Sequence, residues 1–395
     1  MSPRACAKGF TPCATGRRCL HVTHLNRIGC SVIVALTFAA PAHALYQEYQ
    51  LAGSVAAAPG YSFATAQYRL YANELLYRKD FLAFEYDLDS LYADYAYGFF
   101  NHLRLGAFGK VHVFDYQNLN HIVDASTGAE TKSVSLNAPF YRGAVYAEAR
   151  YRELSLRYSV GAQRYELSRR ETTNTALQVS SPGAYLVHQV SLGYFNMTAP
   201  KPYAIQGVAA YASVEAQRLV QGEVYVWRSN GTDLSNARQD AVVNEIIVRG
   251  GAAPWGNSVR LMAAVRAGAT NFALPGHAQD VIQSFSVGGP EARYRRVAGY
   301  SFSEFRAPAF SIANLDAIIH AAGPLNLWLV ADAAVFDREF NGRRLHAGAG
   351  FGFILDLPDG VAGSRSAVFS RIEAPFFAAG GNRFQIFLGI NGQVF

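Results

Sequence analysis

Cysteine is confined to the first thirty residues, where it occupies positions 6, 13, 19 and 30. Beyond that segment no disulfide can stabilise the chain. Charged residues make up only 16% of the sequence, whereas soluble domains carry roughly 25%. After Ala44 no apolar run reaches 18 residues, and this excludes membrane-spanning helices. These absences leave a large, weakly charged chain that needs another way to stabilise its fold.

The excess of positive charge comes almost entirely from the first 44 residues. They contain five basic residues and no acidic residue, and the remainder has 30 basic against 29 acidic residues. The five are Arg4, Lys8, Arg17, Arg18 and Arg27. The basic pI therefore gives no reason to expect a nucleic-acid partner.

Residues 1–44 are predicted to be a secretory signal peptide that is cleaved. A basic stretch ends at Arg27, an apolar run of fifteen residues follows, and Ala42-His43-Ala44 forms a small-x-small cleavage site. The alternative is a transmembrane anchor, but the run is shorter than the roughly 20 residues that a spanning helix needs.

Alternation with a period of two is the main pattern in the rest of the chain. In residues 154–164, for example, Leu154, Leu156, Tyr158 and Val160 alternate with Ser155, Arg157 and Ser159. Such segments indicate strands with one apolar and one polar face. Seventeen candidates follow: 61–72, 80–90, 92–101, 103–115, 139–152, 154–167, 185–196, 203–214, 221–229, 240–251, 258–270, 280–288, 308–320, 325–337, 344–357, 365–376 and 382–395.

Two all-β architectures produce this pattern. A soluble sandwich buries its apolar face, whereas a membrane barrel turns that face to lipid. The length of the strands, the charges and glycines on the polar face, and the aromatic residues near strand ends favour the barrel. Because bacterial single-chain barrels have even strand numbers, we expect about sixteen strands, with one early pair counted as a single strand or placed outside the wall.

The predicted fold is thus an all-β, transmembrane antiparallel barrel formed by residues 61–395, preceded by a short periplasmic segment, residues 45–60. Long outer loops are expected at 116–138, 168–184, 230–239 and 289–306, and a tight turn is expected at 321–324. The last strand ends in Phe395, and a terminal aromatic residue on an amphipathic strand is the assembly signal of outer-membrane barrels. These features predict location in the outer membrane of a Gram-negative bacterium.

One stretch, residues 285–337, resembles the C-terminal half of the BamA superfamily, the bacterial surface antigen barrels. Gly288-Gly289 precedes a loop that ends in Val297-Ala298-Gly299-Tyr300, which is similar to the V/L-R-G-F/Y tip of the family's inward-folded sixth loop. Asn314 and Asp316 resemble its N-x-E strand, and Asp332 resembles the acid of its F-x-D-x-G strand. With the segments that follow, up to residue 395, the likeness covers about 110 residues. Because only residues 45–60 lie between the predicted signal peptide and the first candidate strand, we expect a barrel without the family's periplasmic POTRA repeats.

The resemblance implies an extracellular loop that folds into the lumen, with Val297, Gly299 and Tyr300 at its tip. The family's tip arginine, which reaches acids on the wall, is Ala298 here, so Arg295 or Arg296 is expected to substitute. The expected acceptors are Asp316, Asp332 and Glu373, with Arg260, Arg266 and Arg371 beside them in the lumen. The alternative is that the loop arginines are simply solvated outside the barrel.

No catalytic, metal or cofactor site is predicted. The histidines after residue 44 have no Gly-x-Ser-x-Gly turn beside them, and no HxxxH or HxH pair occurs there. The resemblance implies a barrel that aids assembly or translocation of proteins or lipids, with outer-membrane lipid and either a periplasmic partner or nascent outer-membrane proteins as partners. The alternative is a passive, porin-like channel whose lumen is narrowed by the loop.

Overall fold

A computed structural model describes twenty-one stretches of the chain. They are residues 45–56, 63–73, 79–87, 90–100, 102–112, 116–123, 130–137, 139–166, 168–169, 177–179, 183–201, 204–221, 227–229, 232–233, 240–256, 258–270, 297–300, 309–340, 342–357, 364–376 and 384–394. Within these stretches no helix is long and apolar enough to cross a membrane.

The described chain forms twenty-two strands. They are β1 (Leu45–Ala56), β2 (Phe63–Asn73), β3 (Asp80–Asp87), β4 (Ser90–Phe100), β5 (Leu103–His112), β6 (Tyr116–Val123), β7 (Glu130–Asn137), β8 (Phe140–Tyr151), β9 (Leu154–Tyr165), β10 (Ser168–Arg169), β11 (Leu177–Val179), β12 (Ala184–Lys201), β13 (Ala204–Gln221), β14 (Trp227–Ser229), β15 (Thr232–Asp233), β16 (Asp240–Ala252), β17 (Val259–Thr270), β18 (Ala309–Ala322), β19 (Leu325–Phe340), β20 (Arg343–Asp356), β21 (Ser364–Pro375) and β22 (Gln385–Val394).

Sixteen of these strands form the wall of a closed barrel. Each wall strand pairs antiparallel with the next one along the chain, and β6, β7, β10, β11, β14 and β15 are left out of the wall. The barrel closes where β1 pairs with β22 over ten residue pairs, from Gln47 opposite Val394 to Ala56 opposite Gln385. Closure gives every wall strand two neighbours, as backbone groups surrounded by hydrocarbon require. The prediction of about sixteen antiparallel strands is confirmed.

The first strand corrects one sequence-based boundary. Residues 45–60 were expected to precede the barrel, but residues 45–56 are β1 and belong to the wall. The early candidate strands are also separate wall strands, so none of them merges with its neighbour. The candidate at 221–229 is not a wall strand, because β13 already extends to Gln221 and β14 pairs outside the wall. The candidate at 280–288 lies outside the described residues.

Two small sheets accompany the long connections between wall strands. One has the order β10-β7-β6 and the other the order β11-β14-β15. Their strands fall largely within segments expected to be outer loops, namely 116–138, 168–184 and 230–239. The four long connections (β5 to β8, β9 to β12, β13 to β16 and β17 to β18) share one end of the barrel, since the strands alternate in direction. That end is the extracellular one in barrels of this architecture.

The two faces of the wall carry different side chains. Outward positions hold exposed apolar residues such as Leu156, Leu315 and Phe351, whereas inward positions on the same strands are buried and include most of the charged residues. Exposed aromatic side chains lie near both rims. Those at the short-turn end are Tyr97, Phe99, Phe100, Tyr151 and Trp255, and those at the long-loop end are Tyr141, Phe376 and Phe384. This is the pattern of a wall whose apolar band faces lipid between two aromatic girdles.

Candidate functional site

A four-residue loop tip, Val297–Tyr300, lies buried inside the barrel. It belongs to the connection between β17 and β18, the eleventh and twelfth strands of the wall. The Tyr300 N–H donates to the Val297 carbonyl at 3.2 Å, and Gly299 has a φ of 77°. A positive φ at the third position is what a type II turn requires, and glycine adopts it without strain.

Two wall carboxylates accept hydrogen bonds from the backbone of this loop tip. The Ala298 N–H donates to Asp332 Oδ2 on β19 at 2.7 Å, and the Gly299 N–H donates to Glu373 Oε2 on β21 at 3.2 Å. The other oxygen of Asp332 accepts from Asn314 Nδ2 on β18 at 2.9 Å. Successive backbone N–H groups facing carboxylates form an anion-binding nest. Hydrogen bonds to ionised acceptors are about twice as strong as neutral ones.

Glycine on the wall makes room for the loop tip. Gly348 on β20 lies opposite Asp332 on one side and Pro375 on the other. A Cβ atom at Gly348 would overlap the Ala298 carbonyl oxygen, and a Cβ atom at Gly299 would overlap the backbone of Pro375. The tip therefore packs backbone to backbone against the wall, at a distance that any side chain would prevent.

A fully buried arginine lies beside Glu373. Arg371, on the same strand, forms an ion pair with that carboxylate. Its guanidinium carbon is 4.3 Å from the ring centroid of Trp328 and 5.2 Å from that of Phe387. Guanidinium groups stack favourably on aromatic faces, and more so away from water. The buried Arg371 is therefore matched by a carboxylate on one side and by aromatic rings on the other.

The end of the loop tip is held by aromatic contacts. The Tyr300 ring packs edge-on to His346, with ring centroids 5.6 Å apart, and the two polar atoms Tyr300 Oη and His346 Nδ1 are 3.4 Å apart. Val297 and Tyr300 belong to one buried apolar cluster with Phe310, Ile312, Ala334 and Phe336. The other four residues of this cluster lie on β18 and β19. The loop tip therefore packs against the two strands that follow it in the chain.

Several of the residues proposed from the sequence lie together in this site. Asp332 and Glu373 accept hydrogen bonds from backbone N–H groups of the loop tip. Asp316 accepts instead from Trp328 Nε1 at 2.9 Å. Arg266 pairs with Glu245 and stacks on Phe310 at 5.0 Å, and Arg260 lies on the same inward face of β17. Arg295, Arg296 and Phe395 lie outside the described residues.

Trp328 and His346 were not singled out from the sequence as parts of a site. Their only signal was position, because both fall on the inward parity of strands β19 and β20. Strand β20 has glycine at the alternate positions 348, 350 and 352, and glycine within a strand leaves room for close approach of another backbone. In the structure Gly348 is the one of the three that meets the loop tip. Among the described residues no group of three His, Cys, Asp or Glu side chains could hold a metal ion.

Comparison with known proteins points to one fold. No protein-family model matches the chain, and no curated protein matches it. Among solved structures, BamA from Haemophilus ducreyi lacking POTRA domains 1–3 is 13% identical, with a TM-score of 0.54 over 88% of this chain and 70% of that one. CdiB from Acinetobacter baumannii is 10% identical, with a TM-score of 0.52 over 88% of this chain and 60% of that one.

The chain has the fold of an outer-membrane β-barrel. CdiB from Escherichia coli gives the same result, at 9% identity and a TM-score of 0.52 over 88% of this chain and 63% of that protein. The barrel spans less than two thirds of the length of either CdiB chain. At these identities the likeness establishes a BamA-like barrel fold and no particular member of the group.

Proposed function

We propose that this barrel resides in the outer membrane and aids the assembly or translocation of proteins or lipids there, with no enzymatic activity of its own. The observation that carries the proposal is the loop tip docked on Asp332 and Glu373. A passive channel can also have its lumen narrowed by a loop, but it does not require that loop to be displaced. A barrel that admits other molecules needs an internal part that is seated by defined contacts and can be displaced.

The contacts between the loop tip and the wall are consistent with an internal segment that can be displaced. Its polar contacts with the wall include two backbone hydrogen bonds to carboxylates and one contact between Tyr300 and His346. These interactions are strong enough to favour one seated state, yet few enough for a competing chain to replace them. The sequence resemblance to the BamA superfamily adds independent support for the same role. A periplasmic partner or a nascent outer-membrane protein would be the competing molecule.

Depletion of the protein from its host tests the proposal. We expect reduced levels of at least one class of outer-membrane protein or lipid, measured by quantitative proteomics and lipid analysis of the outer-membrane fraction. The depleted cells are then supplied with a variant lacking residues 290–304, or with a control lacking residues 124–129 between β6 and β7. The first should fail to restore those levels and the control should restore them.

Two results would overturn the proposal in favour of a passive channel. One is unchanged levels of every other outer-membrane protein and lipid after depletion. The other is an absence of crosslinks between nascent barrels and a photo-reactive group placed at Leu388, an outward-facing position on the last strand. Loss of uptake of a small solute upon depletion, with normal membrane composition, would identify the channel directly.

A further inference from the structure

A second cluster of inward-facing charged residues lies on wall strands other than β18 to β21, whose residues hold the loop tip. It involves the six consecutive wall strands β4, β5, β8, β9, β12 and β13. The cluster is centred on Asp94, Arg142, Arg157 and Glu215, with the ring of Phe108 between them.

One ion pair reaches across several strands. Arg142 on β8 donates to Glu215 on β13 at 2.7 Å and to Gln189 on β12 at 3.2 Å. Strands β9 and β12 lie between the two partners of the ion pair. Neighbouring strands are about 5 Å apart, so these side chains must extend over the inner surface of the wall to meet. Both are largely buried, with side-chain exposures of 13% and 8%.

A second ion pair extends in the opposite direction. Arg157 on β9 pairs with Asp94 on β4 at 3.3 Å, and strands β5 and β8 lie between them. Asp94 also accepts from Tyr146 at 2.6 Å and from Tyr92 at 2.9 Å. This carboxylate is thus held by three donors from three strands, an arrangement that gives it one defined position.

Phe108 joins the two ion pairs. The guanidinium carbon of Arg142 is 5.5 Å from the Phe108 ring centroid, and that of Arg157 is 5.0 Å from it. Arg157 also lies over Tyr146 at 3.4 Å. Arg142 and Arg157 thus share the Phe108 ring, and each is paired with its own carboxylate. Together these side chains form a continuous layer over this part of the wall.

The charges facing the lumen on these six strands are not balanced. Among the described residues, the inward positions carry five basic side chains and three acidic ones. The basic residues are Arg104, Lys110, Arg142, Arg150 and Arg157, and the acidic residues are Asp94, Glu148 and Glu215. An excess of positive charge along a confined path raises the local concentration of anions.

We propose that Arg142–Glu215 and Arg157–Asp94, joined through Phe108, form a second constriction of the lumen that acts independently of the loop tip and selects anions. This constriction, named the arginine clasp for these five residues, narrows the barrel from the wall. The loop tip narrows it from the side of β18 to β21. The pore widens fully only when both are removed. The clasp requires only the barrel, so the assembly role can fail without affecting it.

Conductance in planar bilayers tests the clasp with four purified proteins. They are the parent chain, a variant lacking residues 290–304, that deletion combined with Arg142→Ala and Glu215→Ala, and that deletion combined with Arg218→Ala and Asp240→Ala. The last is the matched control, because Arg218 and Asp240 are an exposed pair of the same two charge types at 3.9 Å. Faster migration of unboiled protein in a gel verifies that each variant is folded.

We expect the deletion alone to give a small conductance with a reversal potential that favours chloride over potassium. Removal of Arg142 and Glu215 should raise that conductance by about threefold or more, because both long side chains leave the path. The control should match the deletion alone. Equal conductance in the clasp variant and the control would overturn the proposal, and so would a wide, unselective pore in the deletion alone or no conductance in any variant.

Glu215→Gln gives a second test that disturbs packing less. Glutamine keeps the size of the side chain and an oxygen that accepts from Arg142, but it removes one negative charge. In the variant lacking residues 290–304, this change should increase the preference for chloride. An unchanged or reduced preference would show that Glu215 does not face the ion path.

Discussion

At the residue scale, two glycines determine whether the loop can enter the wall. Gly299 supplies a φ of 77° and Gly348 leaves the space that the Ala298 carbonyl occupies. Neither role depends on a side chain, because Gly299 supplies a backbone angle and Gly348 supplies space. The arginine of this site sits on the wall at position 371 and pairs with Glu373, which accepts from the loop backbone.

Gly348→Ala should unseat the loop tip without unfolding the barrel. The added methyl group overlaps the Ala298 carbonyl oxygen, and overpacking of this kind costs about 1–3 kcal/mol. A cysteine introduced by Val297→Cys, protected from maleimide in the parent, should then become reactive in the folded, detergent-solubilised protein.

The matched control for this prediction is Gly143→Ala. A Cβ atom at Gly143, on the outward face of β8, would meet no atom within 4 Å. Its Val297→Cys derivative should remain protected. Equal protection in the Gly348→Ala and Gly143→Ala proteins would contradict the close approach of the tip to β20.

At the element scale, the least expected pairing is that of the first strand with the last. The sequence predicts that residues 45–60 precede the barrel, because alternation is weak in the segment that forms β1. In LYQEYQLAGSVA, polar residues occur at both parities. Its place in the wall follows from the need of β2 and β22 for a partner at each edge. The long strands β12 and β13, of 18 residues each, likewise exceed the predicted segments, β12 at the short-turn end and β13 at the long-loop end.

A disulfide should form between β1 and β22, across the seam where the first and last strands close the barrel. Ala52 lies directly opposite Gly389, and such pairs in antiparallel strands have Cα atoms about 4.5–5.5 Å apart, within the range that a disulfide spans. Ala52→Cys combined with Gly389→Cys should therefore crosslink on mild oxidation. The crosslinked barrel should resist unfolding by heat, measured as retained fast migration in a gel.

The control for the seam moves one cysteine by two residues along the same face. Ala52→Cys combined with Phe387→Cys breaks the register by two residues. It should crosslink far more slowly. Equal rates for the two pairs would indicate that β1 and β22 slide past each other.

At the scale of the whole molecule, the apolar outer face explains the low charge content. A band of exposed leucine, valine and phenylalanine lies between two sets of aromatic residues, and only lipid or detergent can cover such a band. Most charged groups of the described wall turn inward, where they pair with one another. The inside of the barrel is thus more polar than its outside, the reverse of a soluble domain.

The protein should therefore fractionate with the outer membrane and require detergent to stay in solution. Unboiled samples should migrate faster in a gel than boiled ones, because a closed barrel of this size resists dodecyl sulfate at room temperature. Mass spectrometry of the purified protein should give Leu45 as its first residue. Identical migration of boiled and unboiled material, or solubility without detergent, would contradict a membrane barrel.

The amino-acid sequence by itself determined which side of each strand faces lipid, because the two faces of a strand follow from a period of two residues. The same parity, together with the family resemblance of the loop tip, also predicted Asp332 and Glu373 as acceptors for the loop. Only the tertiary structure decided which inward residues meet. Arg142 reaches Glu215, 73 residues away, and Gly299 reaches Glu373, 74 residues away. These contacts depend on strand register and closure of the wall, which bring together residues that no local pattern relates.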